Sequence, residues 1–121
     1  TGDVAGAVAA LRRARALDDK HVAVLGQLAG WLARAGDRGA SDVVYGEFKG
    51  VKGDDADDDR NDAFACACRG DVDDAKNALE AALEKDAVVT AAYVDDEDAF
   101  AGFRHTLSCV RPTTTAGSTG G

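Results

Sequence analysis

The chain has 121 residues, of which 45% are hydrophobic and 6% aromatic, and its 22 acidic and 14 basic side chains give a net charge of −8. This composition is ordinary for one soluble globular domain, and the excess of acid argues against nucleic acid or an anionic membrane as partner, because both require clustered Lys and Arg. No apolar run approaches the roughly 20 residues of a membrane span, so we expect no direct membrane insertion.

Apolar residues recur three or four positions apart along most of the chain, which is the pattern of packed amphipathic helices. We predict five helices in chain order, at about 3–17, 20–35, 37–52, 59–69 and 71–85. The acidic stretch 53–58 is predicted to be a loop. Residues 88–94 could form a strand in isolation, but in a helical array we interpret them as the start of a sixth helix. A short helix is expected to carry Phe100, Phe103 and Leu107.

The dipeptide Gly-Asp recurs with a spacing of 34 residues, at positions 2, 36 and 70. Four further columns keep the same register with small or apolar residues: Ala7/Ser41/Ala75, Ala10/Val44/Ala78, Leu11/Tyr45/Leu79 and Ala14/Phe48/Ala82. A fixed period of this length is typical of repeat architectures, which stack one supersecondary unit on the next.

The helix pair with Gly-Asp at its turn resembles the tetratricopeptide repeat (TPR) family. The best-matching unit spans 22–55, with its first-helix packing positions at Leu25, Leu28, Ala29 and Leu32. A partial unit covers 2–21 and a weaker one covers 56–89, where Asp59 and Asp62 stand in place of large apolar residues. The chain therefore enters in mid-repeat, as a fragment would, and another α-hairpin repeat family remains the alternative.

The resemblance implies an all-α fold, an α-solenoid of antiparallel helix pairs wound into a right-handed superhelix. On this reading residues 1–107 form the repeat domain, which ends in C-terminal capping helices after residue 89. Residues 108–121 form a small, polar tail, which we expect to be disordered because it has too little apolar surface to offset the entropy of ordering.

The resemblance further implies a non-enzymatic scaffold or adaptor that binds a partner peptide or helix on the concave face of the superhelix. The positions carried over to that face are Gln27, Gly30, Arg34, Arg60, Asn61 and Phe64. Gly26 and Gly30 stand where a carboxylate clamp would need polar side chains, so no such clamp is expected. The alternative is a structural subunit of a larger complex, which contacts its neighbours through the ends of the helical stack.

The sequence gives little support for a metal site. The acidic run that begins at Asp54 lacks the central glycine and the twelfth-position Glu of a calcium loop, so we interpret it as a solvated loop. Cys66 and Cys68 are two apart on a predicted helix and point away from each other, which disfavours a shared metal. We therefore expect no metal site and no cofactor.

No arrangement of nucleophile and base suggests catalysis, and we predict no catalytic residue and no enzymatic activity. The three cysteines form no disulfide-like framework, which favours a reducing intracellular or organellar compartment. The one notable basic cluster, which is either a solvated helix face or a patch for an acidic partner, consists of Arg12, Arg13, Arg15 and Arg34.

Overall fold

The computed structural model describes residues 3–107, and these form α-helices and two short 3₁₀ helices with no strand among them. The α-helices are α1 (Val4–Leu17), α2 (Val22–Arg34), α3 (Arg38–Val51), α4 (Ala56–Cys68), α5 (Val72–Lys85) and α6 (Ala87–Asp96). The 3₁₀ helices are Asp98–Phe100 and Arg104–Thr106. The all-α prediction is confirmed, and the arrangement is repeat-like.

Aspartate begins most of these helices, because a short carboxylate can accept a hydrogen bond from a backbone N–H that has no partner within the helix. The side chains of Asp3, Asp37, Asp55 and Asp86 accept such bonds at the starts of α1, α3, α4 and α6. Four of the 22 acidic residues of the chain therefore mark the starts of α-helices.

The structure explains why Gly-Asp follows the first helix of each pair, at the ends of α2 and α4. Gly36 and Gly70 both have φ of +85°, a left-handed conformation that glycine adopts without steric cost. Asp37 N–H donates to the Leu32 carbonyl at 3.0 Å, and Gly36 N–H donates to the Ala33 carbonyl at 3.0 Å. This is a Schellman turn, and the aspartate that follows it caps the next helix.

The helices pack as two pairs, α2 with α3 and α4 with α5, and α2 also packs along α4. One core cluster lies around Leu25, Leu28 and Phe48, and a second lies around Phe64, Leu79 and the C-terminal aromatic residues. Trp31 and Tyr45 pack against both clusters and join them. α1 covers α2 at one end of the stack, and α6 covers α5 at the other.

Helix α4 begins at Ala56, three residues before the predicted start. The expectation of a loop over 53–58 is wrong for its second half, because Asp55 accepts a hydrogen bond from Asp58 N–H at 2.8 Å and so caps the helix early. Three aspartates then occupy the first turn, where negative charge favours the helix N-terminus.

Two carboxylates of the acidic run are buried, contrary to the interpretation of the run as a solvated loop. Asp59 accepts hydrogen bonds from Lys52 Nζ at 3.0 Å and Lys85 Nζ at 2.6 Å. Asp62 accepts from Tyr45 Oη at 2.7 Å and Lys49 Nζ at 3.2 Å. Neighbouring helices supply these cations, so acidic residues can occupy core-facing positions of α4.

The end of the described chain differs from the prediction. Phe100, Phe103 and Leu107 are buried, but they lie in and around two 3₁₀ helices instead of one short α-helix. The predicted disordered tail, 108–121, lies outside the described residues.

Candidate functional site

The predicted binding face, which we call the inner face, lies where α2 and α4 meet, and the structure brings most of its residues together. Gln27 Nε2 donates to Asn61 Oδ1 at 3.1 Å. Gly30 lies so close to Phe64 that a Cβ built on the glycine would be 2.5 Å from the ring. This face is therefore the tight seam between the two helices.

Arg34 is the centre of this face. Its guanidinium carbon lies 4.8 Å from the centroid of the Trp31 ring and 5.4 Å from that of Phe64, within the range of cation–π attraction. Its Nη2 donates to Asp98 Oδ1 at 3.1 Å and lies 3.9 Å from Glu97 Oε2. The arginine thus bridges two aromatic rings and two carboxylates.

The two carboxylates differ in their titration. Burial raises the pKa of Glu97 above its usual range, and the hydrogen bond that it shares with Asp98 adds to the shift. That same bond and the Arg34 guanidinium lower the pKa of Asp98, which is exposed. Asp98 is therefore the firmly ionised partner of the arginine near neutral pH.

Arg60 lies on the same helix as Asn61 but contacts α6. Its Nη1 donates to Thr90 Oγ1 at 2.9 Å and lies 3.9 Å from Asp86 Oδ2, while its Nη2 lies 3.5 Å from Asp57 Oδ1. Thr90 is fully buried. Arg60 therefore ties α4 to the C-terminal part of the chain.

The chain itself covers part of the predicted binding face, at Arg34 and Phe64. The segment 97–107, which we call the C-terminal segment, contributes Phe100, Phe103 and Leu107 to the core cluster that contains Phe64. Of the six predicted partner-binding residues, three are buried and three are half-buried; they are Gly30, Asn61 and Phe64, then Gln27, Arg34 and Arg60. Their role in binding a partner stays a prediction, and binding there requires displacement of this segment.

A second surface, on α1, is open. The matched repeat positions Ser41, Val44 and Phe48 of α3 are buried, and the equivalents in α5 are similarly covered. Of the four equivalents in α1, Ala10 is exposed and Ala7, Leu11 and Ala14 are half-buried. Within residues 3–107 no helix lies over α1 in the way that α2 lies over α3.

The open side of α1 has a defined chemistry. Ala7, Ala10, Ala14 and Leu17 follow one another at spacings of three or four residues and so share one stripe. Leu17 is 89% exposed. Arg13 is adjacent to the stripe, and in the described part of the chain it has no ion-pair partner, whereas Arg15 pairs with Glu47. We call these residues the α1 stripe.

The cysteine positions offer no reactive centre among the described residues. The Cys66 Sγ lies 3.3 Å from Tyr45 Oη and 3.4 Å from Asp62 Oδ1, and burial raises the pKa of this thiol to about 12. Burial also raises the pKa of the Cys68 thiol to about 11. Both thiols stay protonated near neutral pH, and a protonated thiol is a poor nucleophile and metal ligand.

Residues 3–107 contain no group of three or more His, Cys, Asp or Glu side chains placed to hold one metal ion. No helix in this range is both long and apolar enough to cross a membrane. Comparison with known proteins identifies no matching family model, no similar curated protein and no similar solved structure.

Sequence reasoning missed two parts of these surfaces. It did not assign Trp31 to the site, although Trp31 and Arg34 are three apart on one helix face. It also missed the α1 stripe as a surface, although the repeat columns already contained it. The contact of Arg34 with Glu97 and Asp98 has no such signal, because it joins residues more than sixty positions apart.

Proposed function

We propose that this chain is a non-enzymatic protein–protein interaction scaffold, a TPR-like stack that forms part of a right-handed superhelix. The 34-residue register and the Schellman turn at the end of both first helices support this reading. In such stacks each helix pair covers the next, and the open surfaces bind other proteins.

The observation that carries the proposal is the exposure of the α1 stripe. Most of the corresponding positions of α3 and α5 are buried under a neighbouring helix, whereas none of those in α1 is buried. Ser41 shows how close such packing is, since its Oγ donates to the Ala29 carbonyl at 2.8 Å across the α2–α3 contact. We therefore propose that a further helix docks at this end of the stack, at the place that the 34-residue register assigns to the first helix of a repeat.

The partner that fits is an amphipathic helix. Because Ala7, Ala10 and Ala14 are small, the partner helix would supply larger apolar side chains, as α2 supplies leucines to α3. An acidic residue beside the apolar row would pair with Arg13. Full burial of the exposed Leu17 side chain alone would contribute about 1.5–3 kcal/mol.

The test compares two variants of the full chain, Ala10→Glu in the stripe and Ala9→Glu beside it. Both alanines are exposed on the same helix, so the substitutions are matched in charge and in their effect on folding. The tagged chains are used to capture proteins from the native source, and the captured proteins are quantified. We expect at least one protein to be retained by Ala9→Glu and lost with Ala10→Glu. If the two variants capture identical sets of proteins, the proposal is wrong.

A second mode of binding uses the inner face of α2 and α4, with Gln27, Gly30, Arg34, Arg60, Asn61 and Phe64. It is favoured by one observation, namely that this face already holds, through Arg34, a segment of the chain that contains no α-helix. A partner would have to replace that segment. Loss of a captured protein with Arg34→Glu, but not with Ala10→Glu, would identify this mode.

A further inference from the structure

The inner face of α2 and α4 holds a peptide-like segment in a manner that specifies the chemistry of its ligand. Arg34 is placed over the Trp31 and Phe64 rings and keeps N–H donors directed at the Asp98 carboxylate. A guanidinium that stacks on rings while it binds a carboxylate selects a planar acidic group next to apolar surface. We call Trp31, Arg34, Phe64 and Cys68 the Arg34 site.

The C-terminal segment meets these requirements in a simple order. Its acidic pair, Glu97 and Asp98, lies at the arginine. Phe100 and Phe103 follow at helical spacing, with ring centroids 5.9 Å apart, and both are buried in the core cluster that includes Phe64. Leu107 is the last anchor. The order is thus two acids, then two aromatic residues three apart, then an aliphatic residue.

The attachment of this segment differs from that of the helices. Among the described residues, its polar bonds to α2 and α4 are those of Arg34, and its other hydrogen bonds remain within the segment or join it to the end of α6. Its regular structure is limited to two 3₁₀ helices of three residues each. Short elements with few long-range hydrogen bonds open more readily than packed helices.

We infer that the C-terminal segment is an internal ligand of the Arg34 site, and that the site binds a partner segment of the same type, an acidic pair followed by aromatic residues, when this internal ligand is released. The inference deepens the second mode of binding under the proposed function and does not depend on the α1 stripe. Competition between the two ligands follows from their use of one cation and one apolar cluster.

The internal ligand has the advantage of being tethered, since a covalently linked segment acts at an effective concentration in the millimolar range. A peptide added in solution competes with the internal ligand. The apparent affinity of the peptide is therefore its intrinsic affinity multiplied by the fraction of time that the site is free. Weakening the internal ligand without changing the site should therefore strengthen binding of the peptide.

The experiment uses the full chain and a fluorescent synthetic peptide that copies residues 95–107. In one variant, Asp98→Arg, the internal ligand carries a cation opposite Arg34, and Asp98 is exposed, so the helical core is left intact. We expect this variant to bind the peptide at least about tenfold more tightly than the wild-type chain. Circular dichroism verifies that both are folded.

The matched controls exchange the charges. Arg34→Glu alone should lose the wild-type peptide, because a carboxylate at position 34 repels its acids. A peptide with Lys in place of Glu97 and Asp98 should bind that variant, whose internal ligand is repelled in the same way. A folded Asp98→Arg chain that binds no peptide at millimolar concentration would overturn the inference, as would binding that is unchanged by Arg34→Glu. Either failure would leave the Ala10→Glu test of the α1 stripe unaffected.

A second measurement does not depend on any variant. Hydrogen exchange of the wild-type chain, followed by mass spectrometry, should show the amides of 98–107 exchanging faster than those of α4 and α5. Protection of this segment equal to that of α4 would show that the segment opens only with global unfolding, and would contradict an exchangeable ligand.

Discussion

The close approach of α2 to α4 makes Gly30 the position where a single methyl group should have the largest effect. A Cβ at Gly30 would lie 2.5 Å from Phe64 Cε2 and 2.8 Å from Cδ2, and the Phe64 side chain is 1% exposed and cannot move into solvent. Gly46, in α3, is the matched control, because a Cβ there meets nothing within 4 Å.

The comparison of Gly30→Ala with Gly46→Ala separates two effects. Both substitutions gain up to about 1 kcal/mol of helix propensity, since glycine is the poorer helix former. Only Gly30→Ala overpacks a buried ring, which costs about 1–3 kcal/mol. The difference in free energy of unfolding between the two variants should therefore be about 1–3 kcal/mol, with Gly46→Ala the more stable.

Thermal and urea unfolding measure this difference. For a domain of this size, 1 kcal/mol corresponds to a shift in Tm of about 4–8 °C, so Gly30→Ala should melt at least about 4 °C below Gly46→Ala. Equal melting temperatures would refute the reasoning, because they would mean that the two helices do not meet at Gly30. A chain that instead binds its partner through an opened seam would give this result.

Three further predictions concern buried polar groups. Asp59→Asn should cost about 1–3 kcal/mol in urea unfolding at pH 7, because it weakens the two lysine hydrogen bonds, whereas the exposed Asp19→Asn should change little. Burial tends to raise the pKa of Asp59, but the hydrogen bonds from the lysines outweigh it and hold the pKa below its usual value. The stabilisation is thus present above about pH 4 and is lost as the pH falls further, so the two curves of stability against pH should converge in acid. Ser41→Ala should cost about 1–2 kcal/mol, since its buried hydroxyl donates to one backbone carbonyl and accepts from an arginine; equal stability would show that water replaces both bonds. With the third cysteine replaced by serine, Cys66 and Cys68 should react with iodoacetamide at pH 8 at least about 100-fold more slowly in the native chain than in urea, and rapid native alkylation would contradict their burial.

The sequence predicts the helices well because their boundaries depend on local signals. The glycine of the Gly-Asp dipeptide forms a left-handed turn at both Gly36 and Gly70, so the ends of α2 and α4 could be placed from one motif. The start of α4 was placed late because a run of aspartates is read as a loop, although one of them, Asp55, caps the helix.

The environment of the acidic residues could not be predicted from local pattern. Asp59 is buried because Lys52 and Lys85 approach it from two other helices, and neither lysine is marked by spacing or motif. A carboxylate can occupy a core-facing position only when cations arrive from elsewhere in the fold. That information is tertiary, and the helical pattern of α4 alone does not contain it.

Of the two candidate surfaces, one could be predicted from local sequence pattern and the other depends on tertiary structure. The α1 stripe follows directly from the repeat columns, since Ala7, Ala10 and Ala14 occupy positions that are packed in α3 and α5. The position of the C-terminal segment over the inner face could not be predicted from the repeat columns, because it depends on where the chain turns after α6. The family resemblance placed the inner-face residues next to one another, but it could not indicate that this chain fills its own face.

The most direct test of the scaffold proposal is site-specific photo-crosslinking in the native source. A photoreactive amino acid is placed at Ala10 in one full-length chain, at Gln27 in a second, and at the exposed Val43 on α3 in a third as control. We predict that Ala10 crosslinks to one helical, acidic segment of a single partner and that Val43 does not. A partner that crosslinks at Gln27 and never at Ala10 would contradict the α1-stripe proposal and support the second mode of binding, on the inner face.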